Sequence, residues 1–456
     1  MSSQVTIKKK KGKVRNSTLT LIGFGTAFFP RLLTYFGAPS PLNFAHFIVI
    51  PIVVGIVLFT VRTKNRQQIA IARELSFGLG ILLVCLLASA VTNDAGIVNV
   101  FLQFMFSGEP ILLLIAIMVL PLTGESLERF RYWIAGFCLF NLILALIQSV
   151  LLPIGLYPGA TGGQLWTDNT AGVFASPGGS AGNYISATVS LYFALYFFNT
   201  FKTVPRWIRI AVFIGAFYQT YISDSKQIFV AFFVGWLLLV WTNVKKPGRI
   251  LLYLIPIILI FAIFSWALLY TDWEFLDPYR NFTISRSGQN LYGPDGEATL
   301  LKTAGFRIVP SYFTTPLNYF FGLGPGHTAT RLGGWVLRDY SSLLMPLGAT
   351  IHPATNAFWQ VILSPAGWLA RESTMYFPMF TWLGLWGDLG IVGLGAYLYL
   401  WSTVWRRVCV DNFCKFLLLS TAVMGFILTQ MEEPGQMLTI ACFLGLRWQE
   451  ERQHSL

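Results

Sequence analysis

Charge is scarce in this sequence. Only 11% of its 456 residues are Asp, Glu, Lys or Arg, against about a quarter in a soluble domain, which excludes an ordinary water-soluble globule. Cysteine is nearly as sparse, with five residues. Cys85, Cys138, Cys409, Cys414 and Cys442 all fall in apolar runs or beside basic segments, and Cys409 and Cys414 lack histidine partners and zinc spacing. A disulfide framework and a zinc site are thereby excluded. Histidine occurs four times. No internal repeat is visible, as inverted-repeat transporters tend to show. No G-K-[ST] ending completes a nucleotide phosphate loop. The N-terminal "MSSQVTIKKKKGKVRN" is basic like the start of a signal peptide, but no small-residue cleavage site follows, so it reads as a retained cytoplasmic tail.

Hydrophobicity is abundant: 55% of residues are hydrophobic and 16% aromatic, with a mean hydropathy of +0.60. Apolar runs of the roughly 20 residues that a bilayer core requires recur along the whole chain. They predict an all-α, polytopic membrane bundle of about twelve spans, over 18–36, 42–61, 74–92, 108–122, 130–152, 181–200, 208–222, 226–243, 250–270, 376–405, 415–431 and 436–446. With the N-terminus inside, most basic residues fall on inner segments, as the positive-inside rule requires. The net charge of +12 then reflects topology and contact with lipid headgroups, and nucleic acid is not needed to explain it. The cations left over are Arg31, Lys226, Arg280, Arg286, Lys302, Arg307, Arg331, Arg338 and Arg371.

Seven of those nine lie in one long segment, 271–375, together with Asp272, Glu274, Asp277, Asp295, Glu297, Asp339 and Glu372. A loop of that length without apolar spans is usually functional. The chain divides into a basic tail (1–17), a first bundle segment (18–270), a large external loop (271–375) holding the candidate active site, a second bundle segment (376–446) and an inner tail (447–456). Inside the loop, "FFGLGPGHTATRL" gathers Gly322, Gly324 and Gly326, residues that let backbone N–H groups approach an anion. Taken alone it is a turn.

Its neighbours carry more. Upstream is "KTAGFRIVPSYFTTPLNYFFGLGPG" with Arg307, and downstream are "IHPATNAFWQVI" and "LGLWGDLGIVGLGAYLYL". His352 and Asn356 are four apart, able to share one face of a helix that begins at the proline. "GVFASPGGSAGNYISATVSLY" and "YISDSKQIFVAFFVG" complete the set, with Lys226 in the second. In this order the stretches resemble the O-antigen polymerase and ligase superfamily of bacterial cell-surface polysaccharide enzymes. That family's pattern is an arginine, a short helix, a proline and G-x-G-x-G, then H-N-x-x-L and an acidic residue before G-x-x-G. Here "HPATN" separates His352 from Asn356, which makes His327 a rival.

The resemblance implies a GT-C-like membrane glycosyltransferase of the bacterial inner membrane with both termini cytoplasmic. It would take a glycan from a polyprenyl-pyrophosphate carrier and pass it to an acceptor hydroxyl outside the membrane, with no cofactor and no metal. Polymerisation of repeat units is favoured; ligation to a lipid or protein acceptor and a lipid-linked glycan flippase are the alternatives. Partners would be the carrier-linked glycan, a glycan or lipid acceptor, membrane lipids and other polysaccharide-assembly proteins. A pyrophosphate leaving group needs fixed positive charge, and arginine supplies it without deprotonating. Arg307 is the first candidate, followed by Lys226, then Arg331 and Arg338. The base for the acceptor hydroxyl would be His352, with His327, Asn356, Asp388 and the three glycines in support. For Asp388, orienting a base competes with capping a helix N-terminus. "TDWEFLD" offers Asp272, Glu274 and Asp277 for a divalent ion, a weaker alternative.

Overall fold

The computed structural model describes residues 15–454 apart from Arg62, Lys64, 158–166, Asp168, 176–181, most of 245–269, Asp272 and 274–290. The basic residues of the N-terminal tail up to Lys13, most of the 250–270 run, the acids of "TDWEFLD", and Arg280 and Arg286 lie outside the described residues.

Among the described residues the fold is helical with no strand. The helices of the first part are α1 (Asn16–Phe28), the six-residue α2 (Pro30–Tyr35), α3 (His46–Thr60), α4 (Arg66–Thr92), α5 (Ile97–Val119), α6 (Glu125–Leu151), α7 (Gly182–Thr200), α8 (Arg206–Ile222) and α9 (Lys226–Asn243). Shorter helices follow up to α10 (Pro353–Leu363), and α11 (Thr381–Arg407), α12 (Asn412–Ile427) and α13 (Pro434–His454) close the chain. Their ends carry legible signals. Asn65 accepts from the N–H groups of Gln67 and Gln68 to start α4, Asp411 accepts from Cys414 to start α12, and proline stands at the first position of α2, α10 and α13.

Among the described residues six helical stretches are long and apolar enough to cross a membrane: Ser40–Thr60, Arg66–Thr92, Ile97–Val119, Glu125–Leu151, Lys226–Asn243 and Thr374–Arg407. The chain is a helical membrane protein. Every other apolar run of the sequence that falls on described residues is helical too, with two physical differences. The 18–36 run is broken at Pro30 into α1 and α2, because proline removes a backbone donor and starts a new helix. α8 and α12 have 17 and 16 residues, short of the roughly 20 needed to span unaided.

α5 is the enclosed centre, packed against α3, α4 and α13. At one end of the bundle Arg447 of α13 reaches Asp411 at the start of α12 at 2.7 Å and Glu450 on its own helix at 2.5 Å, and Arg407 of α11 reaches Glu74 of α4 at 2.6 Å. The other end is built from the starts of α3, α5 and α13, with α2 and the segment 291–380 laid over them. The site lies there.

Candidate functional site

The glycine-rich stretch begins where two backbones touch. α11 is bent at Gly390, whose φ of 63° and ψ of −164° lie in a region open only to glycine. Gly322 adopts a matching φ of 72° and ψ of −155°. A Cβ on Gly322 would meet the carbonyl carbon of Asp388 at 2.3 Å, and one on Gly390 would meet that of Phe320 at 2.3 Å. The two glycines therefore let the loop and the bend interlock. The bend frees carbonyls that a straight helix would use, and the loop takes them up: Leu323 N donates to Gly387 O (2.8 Å), Gly324 N to Asp388 O (3.0 Å), and Ser89 Oγ to Asp388 O (2.7 Å).

Asp388 then holds the loop down. Its Oδ2 accepts from Gly326 N and Thr330 Oγ1, and its Oδ1 from Thr328 N and Thr328 Oγ1, all at 2.7 Å. It is fully buried. The carboxylate sits inside α11 and does not cap its N-terminus; both of its oxygens are taken by the loop. Asn99 of α5 secures the same loop from below, donating to Pro325 O and Thr350 O at 2.9 Å.

The residue after this clamp is Arg331. Its backbone N–H donates to Glu432 Oε2 at 2.8 Å and its guanidinium pairs with Glu433. Arg31, from α2, donates to the other oxygen of Glu433 at 2.7 Å. The two arginine side chains are 19% exposed and Glu433 is 3% exposed. They border a cavity of about 470 Å³ whose wall also includes Asn43, His46, Phe47, Phe106 and Tyr340. Burial, then the like charge of Arg31, lowers Arg331 to about 10, so it stays charged at neutral pH. Burial raises Glu432 to about 8, leaving it mostly protonated there. The cavity wall holds two guanidiniums, Arg31 and Arg331, and two carboxylates, Glu433 and Asp339, and Asp339 is paired outside it with Arg338 at 2.8 Å. Among the described residues neither Arg331 Nε nor Asn43 Oδ1 has a hydrogen-bond partner. Each arginine keeps further donors for an anion.

Beside the arginines, His46 Nδ1 lies 2.9 Å from both oxygens of Glu109, and both residues are nearly fully buried.

The residues singled out from sequence are dispersed. Arg331 borders the cavity. Arg307 is exposed and folds back onto Leu300 O (2.5 Å) and Thr303 Oγ1 (3.1 Å). Lys226 opens α9 and lies 3.0 Å from Asp224. Arg338 stacks over Trp359 at 3.8 Å and pairs with Asp339 at 2.8 Å. None of these three borders the cavity. Asn356 is exposed on α10. His327 and His352 do meet, their rings stacked at 5.3 Å. His327 has both nitrogens engaged, Nδ1 with Leu323 O at 2.7 Å and Nε2 with Thr350 Oγ1 at 2.9 Å, and burial lowers it to about 4. His352 caps α10, accepting at Nδ1 from Ala354 N at 3.1 Å, so its neutral form carries the proton on Nε2.

Sequence reasoning missed Arg31 as a site residue, and passed over Glu109, Glu432, Glu433 and the pairing of His46. A signal existed. "FFPRLL", "FSGEPILLL" and "QMEEPGQ" each set an ionisable residue in or against an apolar run, where it is expensive without a partner or a function. A membrane protein, helical among the described residues, with an arginine-lined polar cavity at one end of its bundle is the class that fold and site define. No family model matches the chain, and no curated protein matches it.

Proposed function

We propose that this protein is a membrane glycosyltransferase that moves a glycan from a polyprenyl-pyrophosphate carrier to an acceptor hydroxyl, as a polymerase of polysaccharide repeat units. The observation that carries the reading is the pair of arginines, Arg31 and Arg331, sharing one carboxylate at a cavity among apolar helices. A pyrophosphate is the anion that matches two guanidiniums with donors to spare, and a lipid tail explains its place in a membrane bundle. The pyrophosphate role passes from Arg307 and Lys226 to Arg31 and Arg331. The ordered stretches that resemble the O-antigen polymerase and ligase superfamily support the transfer class. Twelve spans in a GT-C-like bundle, an inner-membrane location with cytoplasmic termini and a cavity facing outward complete the proposal. They rest on the pattern of basic residues along the sequence, most of which fall on the segments read as inner.

Chemically, charge grows on the leaving pyrophosphate as its bond to the anomeric carbon breaks, and fixed guanidiniums stabilise that charge. Arg331 is preorganised because the Asp388 clamp ends one residue before it. The test uses protein in nanodiscs and undecaprenyl pyrophosphate as the binding probe. Arg31→Gln and Arg331→Gln each leave Glu433 paired with the other arginine. Each should weaken binding about 10- to 100-fold, the loss of a charged hydrogen bond of roughly 1.5–3 kcal/mol, with the phosphate-free alcohol unaffected. Binding unchanged in both variants overturns the reading. Incubation with carrier-linked repeat units from the cell's own membranes then separates polymerisation, seen as longer chains, from ligation, which awaits another acceptor.

A further inference from the structure

The geometry points to His46 as the base that deprotonates the acceptor hydroxyl, with Glu109 as the residue that positions it. This rests on the transferase reading of the same cavity. The argument is one of tautomers. A neutral imidazole has one donor and one acceptor nitrogen, and the partner of the first decides which nitrogen is free to take a proton. Opposite a carboxylate, which accepts, His46 Nδ1 carries the hydrogen, with both Glu109 oxygens 2.9 Å away. Its Nε2 is then the bare acceptor, and no described residue is bonded to it. The ring borders the cavity that also holds Arg31 and Arg331.

The other two histidines of the site region fail this test. Nε2 of His327 takes a hydrogen bond from Thr350 while Nδ1 is spent on the Leu323 carbonyl. Nδ1 of His352 is occupied by the Ala354 amide, so its Nε2 carries a hydrogen and has no lone pair to offer. Of these three rings, His46 is the one with an open acceptor nitrogen and a carboxylate behind it.

Position favours the same assignment. His46 opens α3, while Glu109 lies in the middle of α5, one residue before Pro110. A carboxylate buried among apolar side chains is costly unless something answers its charge. It is tolerated here beside an imidazole that gains a proton during turnover. The ring is fixed further by Phe47, edge-on at 4.1 Å.

In the step, the acceptor O–H proton passes to His46 Nε2 as the oxygen bonds to the anomeric carbon. The bond from that carbon to the pyrophosphate oxygen breaks, and its electron pair leaves with the pyrophosphate, held by Arg31 and Arg331. Glu109 remains a carboxylate and stabilises the imidazolium, which later releases its proton to water.

The experiment measures turnover of carrier-linked repeat units and, separately, binding of undecaprenyl pyrophosphate. His46→Gln should lower kcat by about 10²- to 10⁴-fold, the range for a general base, with carrier binding within twofold of wild type. His46→Gly should recover part of that loss in added imidazoles, more with the more basic ones. Glu109→Gln, which keeps His46, is the second variant: kcat falls at least tenfold with KM nearly unchanged, and Glu109→Asp recovers part of it. His46→Gln turning over within threefold of wild type, or His352→Gln showing the kcat loss in its place, overturns the assignment while leaving the transferase reading intact. If neither arginine variant alters carrier binding, the transferase reading itself has failed.

Discussion

Asp388→Asn tests whether the carboxylate clamp holds the glycine-rich loop and so aims Arg331. In the native clamp each oxygen serves one backbone N–H and one hydroxyl at 2.7 Å. Asparagine turns one oxygen into an NH₂ that cannot accept. The hydroxyl on that side can rotate and accept from the new amide, but the backbone N–H of Gly326 or Thr328 cannot, and a buried orphan donor costs about 1–3 kcal/mol. The two surviving bonds lose their charge, which roughly halves them. Relief of the carboxylate's own desolvation works the other way, so the net loss falls near the lower end, about 2 kcal/mol. At about 1.4 kcal/mol per factor of ten, the loop should open about 30-fold more often. Hydrogen exchange reads this directly: the amides of Gly326 and Thr328 should exchange about 30-fold faster, while amides in the middle of α5 keep their protection. Carrier binding should weaken in parallel, because Arg331 follows the clamp. Unchanged exchange at Gly326 and Thr328 would refute the account of the loop. Faster exchange with unchanged binding would separate the clamp from the site.

Two further outcomes follow from local geometry. Gly390→Ala forces a Cβ to within 2.3 Å of the Phe320 backbone at a φ of 63°, so it should lower stability by at least about 2 kcal/mol, seen as a fall in thermal midpoint; a midpoint unchanged from wild type would mean the bend is not needed. Lys302, whose Nζ donates to Phe377 O at 2.9 Å and Ile427 O at 2.6 Å, is lowered by burial to about 7 from an ordinary 10.5. Between about pH 7 and 10.5 the unfolded chain therefore binds the extra proton, and stability from this group rises with pH across that window. Thermal midpoints of wild type and Lys302→Met should diverge upward in favour of wild type over that range, and parallel curves would refute the burial argument.

The bundle was readable because bilayer-length apolar runs and proline or Asx starts are local signals; α3, α4, α6 to α9 and α11 to α13 overlap the apolar runs, whereas α5 starts at Ile97, eleven residues before the run over 108–122. The site was not, because its parts are separated by about the whole chain: Arg31 and Glu433 are 402 positions apart and Arg331 and Glu433 are 102 apart. Spacing rules read one helix face or one loop, and no such rule connects α2 with the turn before α13. Resemblance did find the loop, and its glycines and Asp388 do work together, but as scaffold. Their order in the sequence could be seen; that Gly322 faces the bend at Gly390 could not, since each glycine by itself reads as a turn. Arg307, the strongest cation by motif, is spent on its own helical turn, and a guanidinium satisfied by neighbouring carbonyls is available to a ligand only by giving those bonds up. Arg331 differs in having its own amide held by Glu432 and the preceding residue, Thr330, held through its hydroxyl by Asp388, while its Nε has no partner among the described residues. On the transferase reading, Arg331, with its main chain held and donors to spare, is placed to bind the carrier, and His46, anchored through one nitrogen and open at the other, is placed to meet the acceptor.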